Sequence, residues 1–182
     1  ARASDSALAL MNLQSTDFEI FGVPAAFGLD RAALDERWKD LQREAHPDRF
    51  ATADAAAQRQ AMQWSVRINE AYQRLKDPLK RAAYLCELNG APVEAENNTA
   101  MPAAFLMQQM EWREALDDAR DAQDLERMAD EVAAARAAML KALQTTADVD
   151  RDFKALSGQV RALMFVERFA RDVENRLDQH GQ

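Results

Sequence analysis

The sequence is poor in residues that interrupt helices and in residues that crosslink chains. Five glycines, five prolines and one cysteine occur among 182 residues. Scarce Gly and Pro beside recurrent Ala, Leu, Glu, Gln, Arg and Met predict an all-α chain. The lone Cys86 excludes an internal disulfide and a multi-cysteine zinc site, and points to a reducing compartment, the cytoplasm being the simplest. No apolar run approaches a bilayer span, because charges interrupt each one, which excludes a transmembrane helix. Positive charge is also in deficit, with 23 Lys and Arg against 31 Asp and Glu and a net charge of −8. Phosphate neutralisation needs clustered cations, so proteins are better partner candidates than nucleic acid. What is abundant is apolar residues, 48% of the chain, with 30% charged, the balance of a folded globular protein.

Residues 1–15 carry one Arg and no apolar block long enough for a secretory signal, and read as a flexible leader outside the fold. Phe18, Phe21 and Val23 around Gly22 and Pro24 suit a short helical turn. Asp30 is a fitting N-cap for a helix from 31 to about 45, with Leu34, Trp38, Leu41 and Ala45 on one face. A second long helix is predicted from 52–55 to about 76, with Ala61, Trp64, Ile68, Ala71, Tyr72 and Leu75 at helical spacing. Asp77-Pro78 reads as N-cap and first position of a further short helix, where a missing amide hydrogen costs nothing. Asn89-Gly90 ends it, since both residues tolerate the left-handed conformation. These elements define a first domain over 16–90. Pro92 and Asn97-Asn98-Thr99 place a linker over 91–100. Residues 101–180 then form three amphipathic helices with breaks near 121–124 and 145–150. The middle helix carries the stripe Leu125, Met128, Val132, Ala135, Met139 and Leu143.

His46-Pro47-Asp48 lies between the two long helices of the first domain. Pro47 biases His46 away from the α conformation, which ends the preceding helix and presents both polar side chains at an exposed turn. At ~100° per residue, Lys39, Arg43 and His46 lie away from the Leu34/Trp38/Leu41 stripe and face solvent. The window 31–49 is locally neutral within an acidic chain. An isolated His-Pro-Asp is more often a polar connecting turn, but here three segments occur in order: Leu41-Gln42-Arg43-Glu44-Ala45-His46-Pro47-Asp48-Arg49-Phe50, then Ile68-Asn69-Glu70-Ala71-Tyr72-Gln73-Arg74-Leu75, then Asp77-Pro78-Leu79-Lys80-Arg81-Ala82-Ala83-Tyr84-Leu85. Together they resemble a J-domain. The resemblance implies that His46, Pro47 and Asp48, with Lys39 and Arg43 on the neighbouring helix, dock on an HscA/DnaK-type chaperone and stimulate its ATPase.

In the second half, Ala104-Phe105-Leu106-Met107-Gln108-Gln109-Met110-Glu111-Trp112-Arg113-Glu114-Ala115-Leu116-Asp117 resembles the HscB-type J-proteins of iron–sulfur cluster biogenesis. On a helical wheel Phe105, Trp112 and Leu116 fall on one side, and Met107, Met110, Glu111, Glu114 and Asp118 nearly opposite. Interleaved carboxylates make burial of that second face costly, and leaving large apolar side chains in water forgoes ~1.5–3 kcal/mol each. A partner resolves the conflict, and methionine suits adaptable binding surfaces. In the last helix Leu156, Val160, Leu163, Val166, Ala170, Val173 and Leu177 form the core stripe, with Phe165 well off it. The resemblance implies that Leu106, Met107, Met110, Glu111, Glu114, Asp118 and Phe165 contact an IscU-type scaffold. Met110 and Asp118 stand where it leads one to expect Leu and Glu. Residues 100–152 hold twelve acidic and six basic residues, a field that steers a basic partner.

The chain is therefore expected to be a two-domain co-chaperone that catalyses nothing itself and needs no cofactor or metal. Without cysteines in the leader it matches the bacterial type rather than relatives with a cysteine-rich zinc element. Three other readings compete: a J-protein for a different client, a helical assembly factor with a degenerate J-domain, and an enzyme using His46 and Asp48 as acid and base. No nucleophile, metal-ligand cluster or phosphate-cradling glycine loop accompanies that pair, which weighs against the last. Ordinary packing of Met107, Met110 and Phe165 is the bland alternative for the second site.

Overall fold

The structure, a computed structural model, describes residues 11–94, 101 and 103–181. All regular secondary structure among them is helical, with no strand among the described residues. In chain order the helices are α1 (Asp17–Phe21), α2 (Arg31–Ala45), α3 (Ala55–Lys76), α4 (Pro78–Leu88), α5 (Ala103–Asp118), α6 (Ala122–Gln144) and α7 (Phe153–His180). A 3-10 turn, Pro47–Phe50, follows α2, and a π-helical turn, Thr145–Asp150, follows α6. The chain divides into two compact units, Ala1–Arg81 and Ala82–Gln182.

Local sequence accounts for most helix ends. The carboxylates of Asp30, Asp54, Asp121 and Asp152 accept from the backbone N–H groups of Ala33, Ala57, Asp124 and Ala155, each satisfying a donor that the first helical turn leaves unpaired. Asp77 does the same for Leu79 at 2.9 Å ahead of α4. Gly22 stops α1 in the left-handed conformation at φ 64°, where a side chain is disfavoured. The break expected near 145–150 takes another form: α6 runs directly into the π-helical turn, and the reversal falls on Arg151 at φ 51°. Ala147 is buried and Thr146 Oγ1 donates to the Ala142 carbonyl, so this stretch extends the helix instead of breaking it.

In the first unit, α2 and α3 bury Leu34, Leu41, Ala61, Trp64, Ile68 and Leu75, and α1 adds Phe18, Ile20 and Phe21. Asp17 is fully buried. Its carboxylate lies 2.8 Å from Arg67 Nη1 and 2.6 Å from Arg74 Nε, an ion cluster that ties α1 to α3. Arg67 also donates to the carbonyls of Leu13 and Ser15 at 3.1 and 2.8 Å. The leader expected over 1–15 is thus held from about Leu13 onward, because a guanidinium of α3 satisfies its carbonyls; residues 1–10 lie outside the described residues. Tyr72 donates to Asp35 Oδ1 at 2.7 Å, and this bond, with one from Arg31, holds the Asp35 carboxyl below its ordinary pKa.

The division between units falls inside α4, earlier than the expected 90. Arg81 donates to the carbonyls of Phe27 and Leu75 in the first unit, whereas Cys86 approaches the Phe153 carbonyl in the second at 3.9 Å. Of the expected linker, residues 91–94 are described. Val93 is buried, and the carbonyls of Pro92 and Val93 accept from Ser157 and Arg161, so this stretch belongs to the second unit's packing. Residues 95–100 lie outside the described residues.

The second unit has α6 and α7 as its most extensive packing pair. Leu125, Met128, Val132 and Leu143 meet Leu156, Val160, Leu163, Val166 and Val173 in its core. Cys86 is fully buried, and burial pushes its thiol up to about 11 against a smaller opposing pull from Arg161. Since the thiolate is the nucleophile, Cys86 is expected to resist alkylation at pH 8 in the folded chain and to react once urea unfolds it. Mass spectrometry after iodoacetamide treatment checks this; rapid labelling of the native chain would contradict it.

Candidate functional site

The structure provides two candidate surfaces, one on each unit. In the first, α2 ends where His46 turns extended, with φ −61° and ψ 130°, the geometry favoured before proline. Pro47 then opens the 3-10 turn. His46 Nδ1 accepts from the Asp48 backbone N–H at 3.2 Å, which places the neutral ring's proton on Nε2. The Asp48 carboxylate lies 3.6 Å from the same nitrogen. The ring therefore caps its own corner, while the side chains of His46 and Asp48 remain 55% and 93% exposed. Across the α2–α3 pair, Ser65 Oγ donates to Gln42 Oε1 at 3.1 Å, which pins the last turn of α2 one turn before the corner.

A shallow depression of about 540 Å³ beside the corner is lined by Gln42, Arg43, His46 and Arg49. Lys39 pairs with Glu36 at 3.6 Å and Arg43 with Asp40 at 3.1 Å, all four side chains being more than half exposed. Such pairs contribute little to stability, so a partner's carboxylates can take over either cation. Gln42 and Arg49 were not singled out in the sequence. Their signal was present in spacing alone: Gln42 precedes His46 by one helical turn, and Arg49 follows Asp48 directly. The same unit exposes Met62 and Val66 on α3, which periodicity did not flag because they lie off its core stripe.

In the second unit, α5 is held by its Phe105/Trp112/Leu116 side. Trp112 and Leu116 are buried; the Trp112 indole donates to Glu131 on α6 at 3.2 Å and stacks on Phe169 of α7 with ring centroids 5.3 Å apart. The opposite side is bare. Leu106 is 44% exposed, Met107 65% and Met110 67%, with Glu111, Glu114 and Asp118 exposed around them. These values reject ordinary packing for the two methionines. Phe165 occupies an intermediate position, half-buried on α7. Phe105 meets it edge to face at 5.9 Å, Phe169 stacks on it at 6.2 Å, and the Arg113 guanidinium lies over it. It joins the edge of the strip rather than its exposed middle. Arg113 and its partner Asp172, 3.1 Å away, were missed in the sequence, because an i,i+59 pairing leaves no local signal.

The strip combines apolar side chains with three carboxylates. Among the described residues no three His, Cys, Asp or Glu side chains converge as a metal site requires, and no helix is long and apolar enough to cross a membrane. The chemistry both surfaces support is recognition of other proteins: a cationic concave corner on one unit, an acidic apolar strip on the other.

Comparison with known proteins shows what the chain is similar to. Residues 101–174 match the family model described as the HSCB C-terminal oligomerisation domain. The chain is 48% identical over 157 residues to the co-chaperone protein HscB homolog of Bordetella avium, covering 86% of this chain and 94% of that one. It is 47% identical over 172 residues to the homolog of Burkholderia multivorans, covering 93% and 98% respectively. Among solved structures, chaperone HscB from Vibrio cholerae superposes with a TM-score of 0.77 at 36% identity, covering 91% of this chain and 99% of that one. With these relatives matching nearly the whole sequence, the chain belongs to the HscB family of co-chaperones.

Proposed function

We propose that this co-chaperone works in iron–sulfur cluster biogenesis, stimulating the ATPase of an HscA/DnaK-type chaperone and delivering an IscU-type scaffold to it. The first unit serves as the J-domain, offering His46, Pro47 and Asp48 together with Lys39 and Arg43. The second offers Leu106, Met107, Met110, Glu111, Glu114, Asp118 and Phe165 to the scaffold. The chain is not itself an enzyme and acts in the cytoplasm. The observation that carries this reading is the coexistence on one chain of an exposed, proline-bounded His46/Asp48 corner and an exposed Met107/Met110 strip, in a protein whose relatives are co-chaperones. Leaving that strip bare costs solvation free energy that docking recovers.

The test is ATP turnover by a bacterial HscA-type chaperone, measured with the chain alone and with scaffold added. Stimulation is expected in both cases and is expected to be larger with scaffold. His46→Gln keeps a polar side chain of similar reach but removes the ring that caps the corner, and is expected to cut stimulation at least tenfold while circular dichroism stays unchanged. Undiminished stimulation by that variant rejects the corner as the chaperone contact. Stimulation that is intact but indifferent to scaffold, with no scaffold binding, selects a J-protein for another client.

A further inference from the structure

The contacts between α5 and α7 form a ladder of rings with one cation laid against it. Phe105, Phe165, Phe169 and Trp112 follow one another at centroid distances of 5.9, 6.2 and 5.3 Å. The Arg113 guanidinium sits 5.5 Å from the Phe165 centroid and 5.4 Å from that of Phe169, within range of a cation–π attraction. Its Nη1 donates to Asp172 Oδ2 at 3.1 Å. Arg113 is the single Lys or Arg of α5. At ~100° per residue it lies on the same edge of the helix as Leu106 and Met110, between the buried Trp112 side and the bare strip.

That edge gives an untethered arginine two other places to go. Met110 lies one turn back and Asp117 one turn on, and both are exposed. A loose guanidinium would either pair with the carboxylate or fold back across the methionine. It would then cancel part of the strip's charge or cover part of its surface. Asp172 draws the cation to the other side, over the rings.

We propose that Arg113, tethered by Asp172, is a positioning residue of the scaffold-docking strip: it holds the half-buried Phe165 ring as a rigid edge and keeps the only positive charge of α5 off the acidic apolar face. The assignment rests on the docking function proposed above. Phe165 has neighbours on α7 and α5, but its remaining exposed part is free to rock unless something bears on the ring. Arg113 does so from the strip side, and its exposed position makes it replaceable without opening the core.

The test uses the full chain with Arg113→Met, which keeps an unbranched apolar stem without the charge, Arg113→Lys, which keeps the charge, and Asp172→Asn, which releases the tether. Phe165→Ala is the reference. Affinity for a bacterial IscU-type scaffold is measured by titration calorimetry, and Phe165 ring motion in the free chain by NMR with ring-labelled phenylalanine. Arg113→Met is expected to weaken binding about two- to fivefold, the scale of a cation–π contact at a half-exposed site, and to speed Phe165 ring flips. Arg113→Lys should recover part of the loss, and Asp172→Asn, which also lets the cation swing onto the strip, should lose at least as much as Arg113→Met. Because Arg113 acts through the ring, Arg113→Met combined with Phe165→Ala should bind no more weakly than Phe165→Ala alone. Fully additive losses, or ring motion unchanged by Arg113→Met, overturn the proposal. A Phe165→Ala chain that binds like the original overturns the docking function itself, and the ring measurement, made without scaffold, separates that failure from a failure of the Arg113 contact.

Discussion

Replacing Met107 and Met110 together by alanine is expected to weaken scaffold binding by roughly 30- to 1000-fold while leaving the fold and the basal ATPase stimulation intact. Each methionine is about two-thirds exposed in the free chain, so truncation removes almost no intramolecular packing and the change in stability should stay within about 0.5 kcal/mol. In the proposed complex the same side chains would become the apolar centre of the contact, where losing one large anchor costs on the order of 1–2 kcal/mol. Two such losses give about 2–4 kcal/mol, which is the stated range in affinity. Adding Phe165→Ala should weaken binding further, but that ring stacks on Phe169 and meets Phe105, so part of its cost will appear as lost stability. The double methionine variant is therefore the cleaner measurement. Calorimetry against the scaffold, with thermal unfolding as the control, decides the matter; affinity preserved within threefold means that the strip is misplaced.

Asp17→Ala is expected to destabilise the first unit by about 2–4 kcal/mol. The carboxylate is fully inaccessible and lies against two guanidinium groups, while Arg67 is 15% exposed and Arg74 36%. Removing one partner of a buried ion pair costs ~3–5 kcal/mol because the other charge is left uncompensated. The partial exposure of both arginines lets water take over some of that role, which brings the figure down. For a unit of this size each kcal/mol moves the midpoint by ~4–8 °C, so a shift of roughly 10–30 °C should be seen by circular dichroism. Asp17→Asn retains the shape and one acceptor oxygen and should lose about half as much. A loss below about 1 kcal/mol for the alanine variant would show that the cluster is incidental to the packing of α1 on α3.

Both predictions depend on features of very different visibility in the sequence. The exposed face of α5 was legible because the reasoning is local: a helix has 3.6 residues per turn, and carboxylates interleaved with methionines cannot share a dry interface. The polar corner was legible for the same reason, since Pro47 dictates the conformation of His46 whatever surrounds it. The Asp17 cluster was not legible. Asp17 reads as one more charge in an acidic chain, and only the folding of α1 against α3 brings it to Arg67 and Arg74, 50 and 57 positions away.

Domain boundaries were read less well, and the reason is physical. Asn89-Gly90 does end α4, but a helix stop is a local event, while the limit of a compact unit depends on which residues share a core. Cys86 and Val93 lie on either side of that stop, and both are buried in the second unit. Similarly, turn-forming residues at 145–150 announced a break, whereas burial of Ala147 carries the helix on as a π-helical turn.

Composition, helical periodicity and capping residues by themselves determined an all-α chain, the positions of its long helices, the proline-bounded corner and the face of α5 that stays bare. These follow from interactions within a few residues, which the order of amino acids states directly. Only the tertiary structure decided where the compact units divide, that Asp17 is sealed among arginines, and that Asp172 holds Arg113 over Phe165. Those outcomes depend on pairs dozens of positions apart, whose meeting is set by how the helices pack and not by any local pattern.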